Sequence, residues 1–139
     1  MSVKDDIEKL LKDMKLEYEW DEKTSRFLLK FKIAGKYLYA FIIIGKKWIV
    51  TSIPLIKISE LEDKVNLKDF YETILKETFY LKEVNYGLTE EGVLVSHAET
   101  AIEAFNPNDF KVELSSAILG FRYFFETILP RFINKWKII

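Results

Sequence analysis

LKEVNYGLTEEGVLVSHAETAIEAFNPNDF, residues 81 to 110, reads as two strands around a tight turn, then a loop and a capped helix start. Lys82 to Leu88 and Gly92 to Glu99 are the strand-like runs, and Glu90-Glu91-Gly92 supplies the turn between them. Asn106-Pro107-Asn108-Asp109 has the chemistry of a helix N-terminus. Asn106 offers an oxygen to free amides, Pro107 loses no hydrogen bond at the first helical position, and Asp109 meets the positive end of the helix dipole. A hairpin followed by a long helix belongs to an α+β fold.

Upstream, Ser2 with Asp5 three residues later forms an N-cap pattern, and Val3, Ile7, Leu10, Leu11 and Met14 repeat at helical spacing. The first helix is therefore amphipathic and ends near Lys15. Glu17-Tyr18-Glu19-Trp20 alternates as a short strand, and Asp21 to Ser25 is a polar turn. Arg26 to Ile33 places Phe27, Leu29, Phe31 and Ile33 on one face and Arg26, Lys30 and Lys32 on the other. Ala34-Gly35-Lys36 turns into Tyr37 to Ile44, which is apolar on both faces, and Gly45-Lys46 turns into Trp48 to Ile56. These runs predict an antiparallel meander. Pro54 cannot donate to a ladder, which predicts a position near an edge or strand end. Asn66 caps a helix whose predicted stripe is Leu67, Phe70, Tyr71, Ile74, Leu75 and Thr78. The last helix runs to about Leu129, where Pro130 ends or kinks it. The expected order is α-β-β-β-α-β-β-α in an antiparallel α+β fold, with room for a short extra strand after the first helix, over one domain of residues 1–139.

Trp48-Ile49-Val50-Thr51-Ser52-Ile53-Pro54-Leu55, the helix from Asn66, Val84-Asn85-Tyr86-Gly87-Leu88, the Glu90-Glu91-Gly92 turn, Val93-Leu94-Val95 and the C-terminal helix with Leu129-Pro130 together resemble a YbjN-type domain. The resemblance spans about Leu16 to Trp136. Such domains share the fold of type III secretion chaperones. It implies a domain that often dimerises and, in the chaperone branch, holds extended peptide. The family has no agreed chemistry to carry over.

Composition narrows the function classes. A chain of 139 residues with 49% hydrophobic and 15% aromatic residues buries a full core. A formal net charge of −1 argues against a nucleic-acid binder that relies on bulk positive charge. The absence of cysteine removes disulfides, thiolate nucleophiles and cysteine metal sites. The charged start of the chain does not read as a signal peptide, and the longest apolar runs are too short to span a bilayer, so a cytoplasmic location is expected. Abundant Lys, Ile and Glu without Gln fit a thermophile, and an AT-rich genome would also raise Lys and Ile.

Catalytic equipment is sparse. His97 is the only histidine, beside Ser96 and two residues before Glu99. No Ser-His-Asp set assembles around it, and His97, Glu99 and Glu103 match no established metal-ligand pattern. Asp5-Asp6 sits in a helix's first turn and Glu90-Glu91 in a loop turn, where solvated structural roles account for both pairs. The five glycines form neither a P-loop nor a dinucleotide fingerprint. No cofactor or metal is expected. The basic, aromatic tail Arg131 to Ile139 fits packing on its own sheet or on a partner better than contact with an anionic membrane.

Two surfaces carry surplus apolar groups. On the last helix, Phe110, Leu114, Ala117, Ile118, Phe121, Phe125 and Ile128 form the core stripe, while Val112, Leu119 and Tyr123 lie nearly opposite. The strand Tyr37 to Ile44 likewise needs cover on its second face. Either the first helix and the tail cover these surfaces, or they bind a protein partner or a second copy of the chain. The sheet is expected to offer an open edge and an apolar face lined by Leu38, Ile42, Trp48 and Val50, or by their neighbours on the opposite face. The expected function is a non-catalytic protein-binding domain, chaperone-like or adaptor-like, acting through the sheet and last helix. The alternative is a small-ligand or metal-dependent activity in a sheet–helix pocket near His97, joined by Glu99 and Tyr86.

Overall fold

In the computed structural model, which describes residues 2–133, the chain forms a six-stranded antiparallel sheet and three helices. The elements are α1 (Val3–Asp13), β1 (Tyr18–Asp21), β2 (Arg26–Ile33), β3 (Lys36–Ile44), β4 (Trp48–Lys57), α2 (Leu67–Tyr80), β5 (Asn85–Leu88), β6 (Val93–Ala101) and α3 (Pro107–Tyr123). The strand order is β1-β2-β3-β4-β6-β5, so the short strands β1 and β5 form the two edges. The architecture is the expected α+β arrangement, and the extra strand after the first helix is β1.

Local chemistry sets the boundaries. The Ser2 Oγ accepts from the Asp5 amide at 3.2 Å, Asn66 Oδ1 from the Asp69 amide at 3.1 Å, and Asn106 Oδ1 from the amides of Asn108 and Asp109. Ile33 pairs with Lys36, which leaves Ala34-Gly35 as a two-residue hairpin loop with φ of 50° and 79°. Positive φ at both positions matches the right-handed twist of the flanking strands. After Tyr123 the last helix widens into a π turn over Phe124–Ile128, then tightens into a 3-10 turn at Leu129–Arg131. Asn134 to Ile139 of the basic tail lie outside the described residues.

Pro54 was expected near an edge or strand end; β4 is an interior strand, and Pro54 lies in its last four residues. The ladder between β3 and β4 runs only from Phe41↔Ser52 to Ile44↔Ile49. Beyond it β4 pairs with β6 alone, with a register shift between Pro54 and Ile56. Pro54 therefore sits where one side of its strand is already free, and its missing N–H costs no sheet bond there.

The helices cover one face of the sheet. Phe27, Leu29, Leu38, Ala40, Ile42, Ile49 and Ile53 point into that layer with no exposure, against Ile7 and Leu11 of α1, Phe70 of α2 and Leu114 and Ala117 of α3. The predicted stripe on α3 is mostly correct, since Phe110, Leu114, Ala117, Phe121 and Ile128 are buried and Ile118 and Phe125 half-buried. The predicted stripe on α2 fails at one position: Phe70 and Ile74 are buried and Leu67, Tyr71 and Thr78 half-buried, but Leu75 faces solvent.

Close approach of α3 to β6 locks the layers. Gly120 lies against Ser96 and Val84, and a Cβ at position 120 would overlap Ser96 Oγ. We therefore expect Gly120→Ala to lower stability by about 1–3 kcal/mol, despite alanine's better helix propensity, because overpacking displaces the helix. A urea unfolding midpoint unchanged or raised would contradict the packing.

Candidate functional site

Among the described residues, three surfaces are open to solvent. The first is the outer face of the sheet. Register places Arg26, Leu28 and Lys30 of β2, Tyr37, Tyr39 and Phe41 of β3, Trp48 and Val50 of β4, and His97 and Glu99 of β6 on this side. Trp48 is 54% exposed and Val50 half-buried. Leu38 and Ile42 do not share this face. They point to the helices and are fully buried, which corrects the expectation of one surface lined by Leu38, Ile42, Trp48 and Val50 together. The period-2 alternation of strands is the reason: Ile42 pairs with Thr51 and Val50 with Ile43, one step out of phase.

The second surface is the outer side of α3. Val112 and Leu119 are 55% and 52% exposed, seven residues apart on one stripe. Tyr123, at the end of the same stripe, is half-buried and donates its hydroxyl to Glu77 of α2 at 3.1 Å. Glu77 also accepts from Arg131 at 2.9 Å, so the stripe ends in a polar clasp between α2 and the C-terminal turn.

The third surface is on α2 and is the most exposed. Leu75, Phe79 and Tyr80 are 71%, 80% and 72% exposed, and the rings of Phe79 and Tyr80 meet edge to face at 5.2 Å. Leu88, on the neighbouring edge strand β5, is also exposed. The helical stripe read from sequence had placed Leu75 in the core. A usable signal was present: Lys68, Glu72, Leu75 and Phe79 share one line along the helix, and two of those residues are charged.

The residues proposed for a pocket near His97 are divided by the sheet. His97 Nδ1 lies 2.6 Å from Glu99 Oε1 on the outer face, with the ring against Gly87. Tyr86 points the other way and donates to the Gly120 carbonyl at 2.7 Å in the core. Adjacent pairing explains the split, since Tyr86 stands opposite Ser96 and Asn85 opposite His97. Among the described residues, no group of three His, Asp or Glu side chains comes together as metal ligands. No helix among them is long and apolar enough to cross a membrane.

No family model and no curated protein matches this sequence. Solved structures do. A chain of the ExsC–ExsE complex aligns over 92% of this chain and 97% of its own length, at 9% identity and TM-score 0.59. A chain of the HopA1–SchA chaperone–effector complex covers 86% and 89%, at 10% identity and TM-score 0.60. The Yersinia pestis type III secretion chaperone SycH, in complex with a stable fragment of YscM2, covers 82% and 92%, at 14% identity and TM-score 0.51. The chain has the fold of type III secretion chaperones.

Burial pushes the Tyr86 phenol well above its ordinary value of 10.0, with Tyr123 and Glu77 adding to the effect. A raised folded-state pKa contributes stability that is complete below about pH 10 and is lost as pH rises through the folded value. Tyr86→Phe is expected to flatten the alkaline decline of stability and to cost about 0.5–1.5 kcal/mol at neutral pH by removing one buried hydrogen bond, the Gly120 carbonyl keeping the Phe124 amide as a donor. Urea titrations from pH 7 to 11 check both. His97→Ala is expected to change stability by less than about 0.5 kcal/mol, since its pair with Glu99 is on the surface.

Proposed function

We propose that this chain is a non-catalytic protein-binding domain, chaperone-like or adaptor-like, working in the cytoplasm as a homodimer and built as one YbjN-type domain over residues 1–139. The fold supports the protein-binding part, because the neighbouring solved chains come from complexes with protein partners. The observation that carries the reading is the bare apolar face of α2, where Leu75, Phe79 and Tyr80 spend most of their surface on water. Contiguous exposed apolar groups of this size mark an interaction surface. The sheet's outer face and the Val112–Leu119 stripe then remain for a partner, with Tyr123 at its clasped end, and Trp48 and Val50 contribute to the sheet surface. Leu38 and Ile42 support that face from beneath.

Self-pairing suits α2 on charge as well as apolarity. Glu72 and Lys76 lie within the patch, four residues apart on the same side of the helix. Two copies packed antiparallel about a two-fold axis near the middle of the helix would set Glu72 of each beside Lys76 of the other. Burial of three such side chains per copy is worth on the order of 1.5–3 kcal/mol each before association costs.

Light scattering tests the dimer. Wild type is expected at twice 16.5 kDa and Phe79→Asp at 16.5 kDa. Dissociation by Leu119→Glu but not by Phe79→Asp would move the interface to α3. Affinity capture from native lysate, followed by intact-complex mass, tests partner binding. A wild-type monomer that captures nothing would defeat the reading.

A further inference from the structure

The outer face carries an unusual pairing of charge along β1 and β2. Glu19 stands opposite Leu28 and Asp21 opposite Arg26. One rung further, Glu17 and Lys30 line a shared hollow of ≈ 520 Å³ with Glu19 and Leu28. A second hollow of ≈ 410 Å³ lies toward the turn, between Asp21 and Glu22 on one side and Arg26 and Phe41 on the other. A third, of ≈ 510 Å³, continues past Lys30 to Tyr37. The hollows share Glu17, Glu19, Leu28 and Lys30, so they run as one shallow trough with an acidic wall and a basic wall.

The two walls interact only at the turn end, where the Thr24 side chain, the amides of Lys23 and Thr24 and the charge of Arg26 hold the Asp21 carboxyl below its ordinary value. Among the described residues, no carboxylate lies within ion-pair distance of Arg26 or Lys30. The cations turn to the aromatic row instead: Arg26 lies 4.9 Å over the Phe41 ring, and Lys30 lies 4.9 Å over Tyr37 and 5.7 Å over Tyr39. Away from the turn, around Glu17, Glu19 and Lys30, charges of both signs therefore remain available to a third party, with Lys30 held by ring contacts and strand register. The occupied ring faces also disfavour nucleobase stacking, and the acidic wall repels phosphate.

We propose that this trough binds an extended peptide segment of the partner in which basic and acidic residues alternate; the inference rests on the protein-binding reading above. Alternation follows from strand geometry. An extended peptide throws successive side chains to opposite sides, with same-side neighbours about 6.6 Å apart, the strand spacing of Glu19 and Asp21 on β1, with Glu17 just before it. Basic residues of the segment then face these three carboxylates. Its acidic residues face Lys30 and Arg26, and an apolar residue between them faces Leu28. The matching order is Lys-Glu-Lys-Leu-Lys-Glu.

The test uses this hexapeptide, blocked at both ends, and a control of the same composition ordered Lys-Lys-Lys-Leu-Glu-Glu. Calorimetric titration of the full chain is expected to show the alternating peptide binding at least about tenfold more tightly than the control. Binding should weaken with salt, and by about tenfold in each of Glu19→Lys and Lys30→Glu. Both positions are exposed, and circular dichroism establishes that the variants fold. Equal affinity for the two peptides, no binding of either, or affinity unchanged in both variants overturns the proposal. If a captured partner still binds Lys30→Glu as tightly as wild type, the trough is not its site, while the protein-binding reading stands. A wild type that captures nothing, yet prefers the alternating peptide, upholds the trough and defeats that reading.

Discussion

The seating of α3 on β6 is the constraint from which the rest follows. Ser96 Oγ donates to the Ala117 carbonyl at 2.8 Å, Tyr86 donates to the Gly120 carbonyl, and Thr100 donates to Glu113. Three polar side chains on the inner side of a hairpin thus meet backbone and side-chain oxygens along one helix. Hydrogen-bonded polar groups in a low-dielectric layer fix position, because any slip leaves a buried partner unsatisfied. Gly120 permits the close approach that makes these bonds reachable. With α3 fixed there, Phe124 meets Phe70 and Tyr86, and α2 is drawn onto the same side of the sheet.

Gathering all three helices on one side has a cost that shapes the surface. Among the described residues, no helix covers the other side of the six-stranded sheet, although β3 is apolar on both faces. The chain tempers this with cations laid over rings: Lys30 and Lys32 over Tyr37, Arg26 over Phe41. Such contacts shade aromatic surface from water while keeping charge outside. The short edge strands β1 and β5, four residues each, limit uncontrolled strand pairing.

α2 received no such treatment. Its buried side is narrow, with only Phe70 and Ile74 inside, and its outer side ends in Leu75, Phe79 and Tyr80. Helix α2 thus keeps more apolar surface on its free side than α3 does. On α3, Val112 and Leu119 are fewer and more widely spaced.

Strands and helix starts were legible in the residues because they rest on local chemistry. Asn66 and Asn106 cap helices wherever the chain goes, Ala34-Gly35 turns a hairpin, and Arg26 to Ile33 alternates in any sheet. The burial of Phe110, Leu114 and Ala117 was equally plain from one helical stripe. Which face of a two-sided apolar strand turns inward was not legible, and Leu38 and Ile42 went to the core while Trp48 and Val50 stayed out. The placement of Leu75 and the separation of Tyr86 from His97 likewise depended on long-range packing. Periodicity specifies that a face exists; the seating of α3 against β6, through Gly120 and its neighbours, decided which face it is.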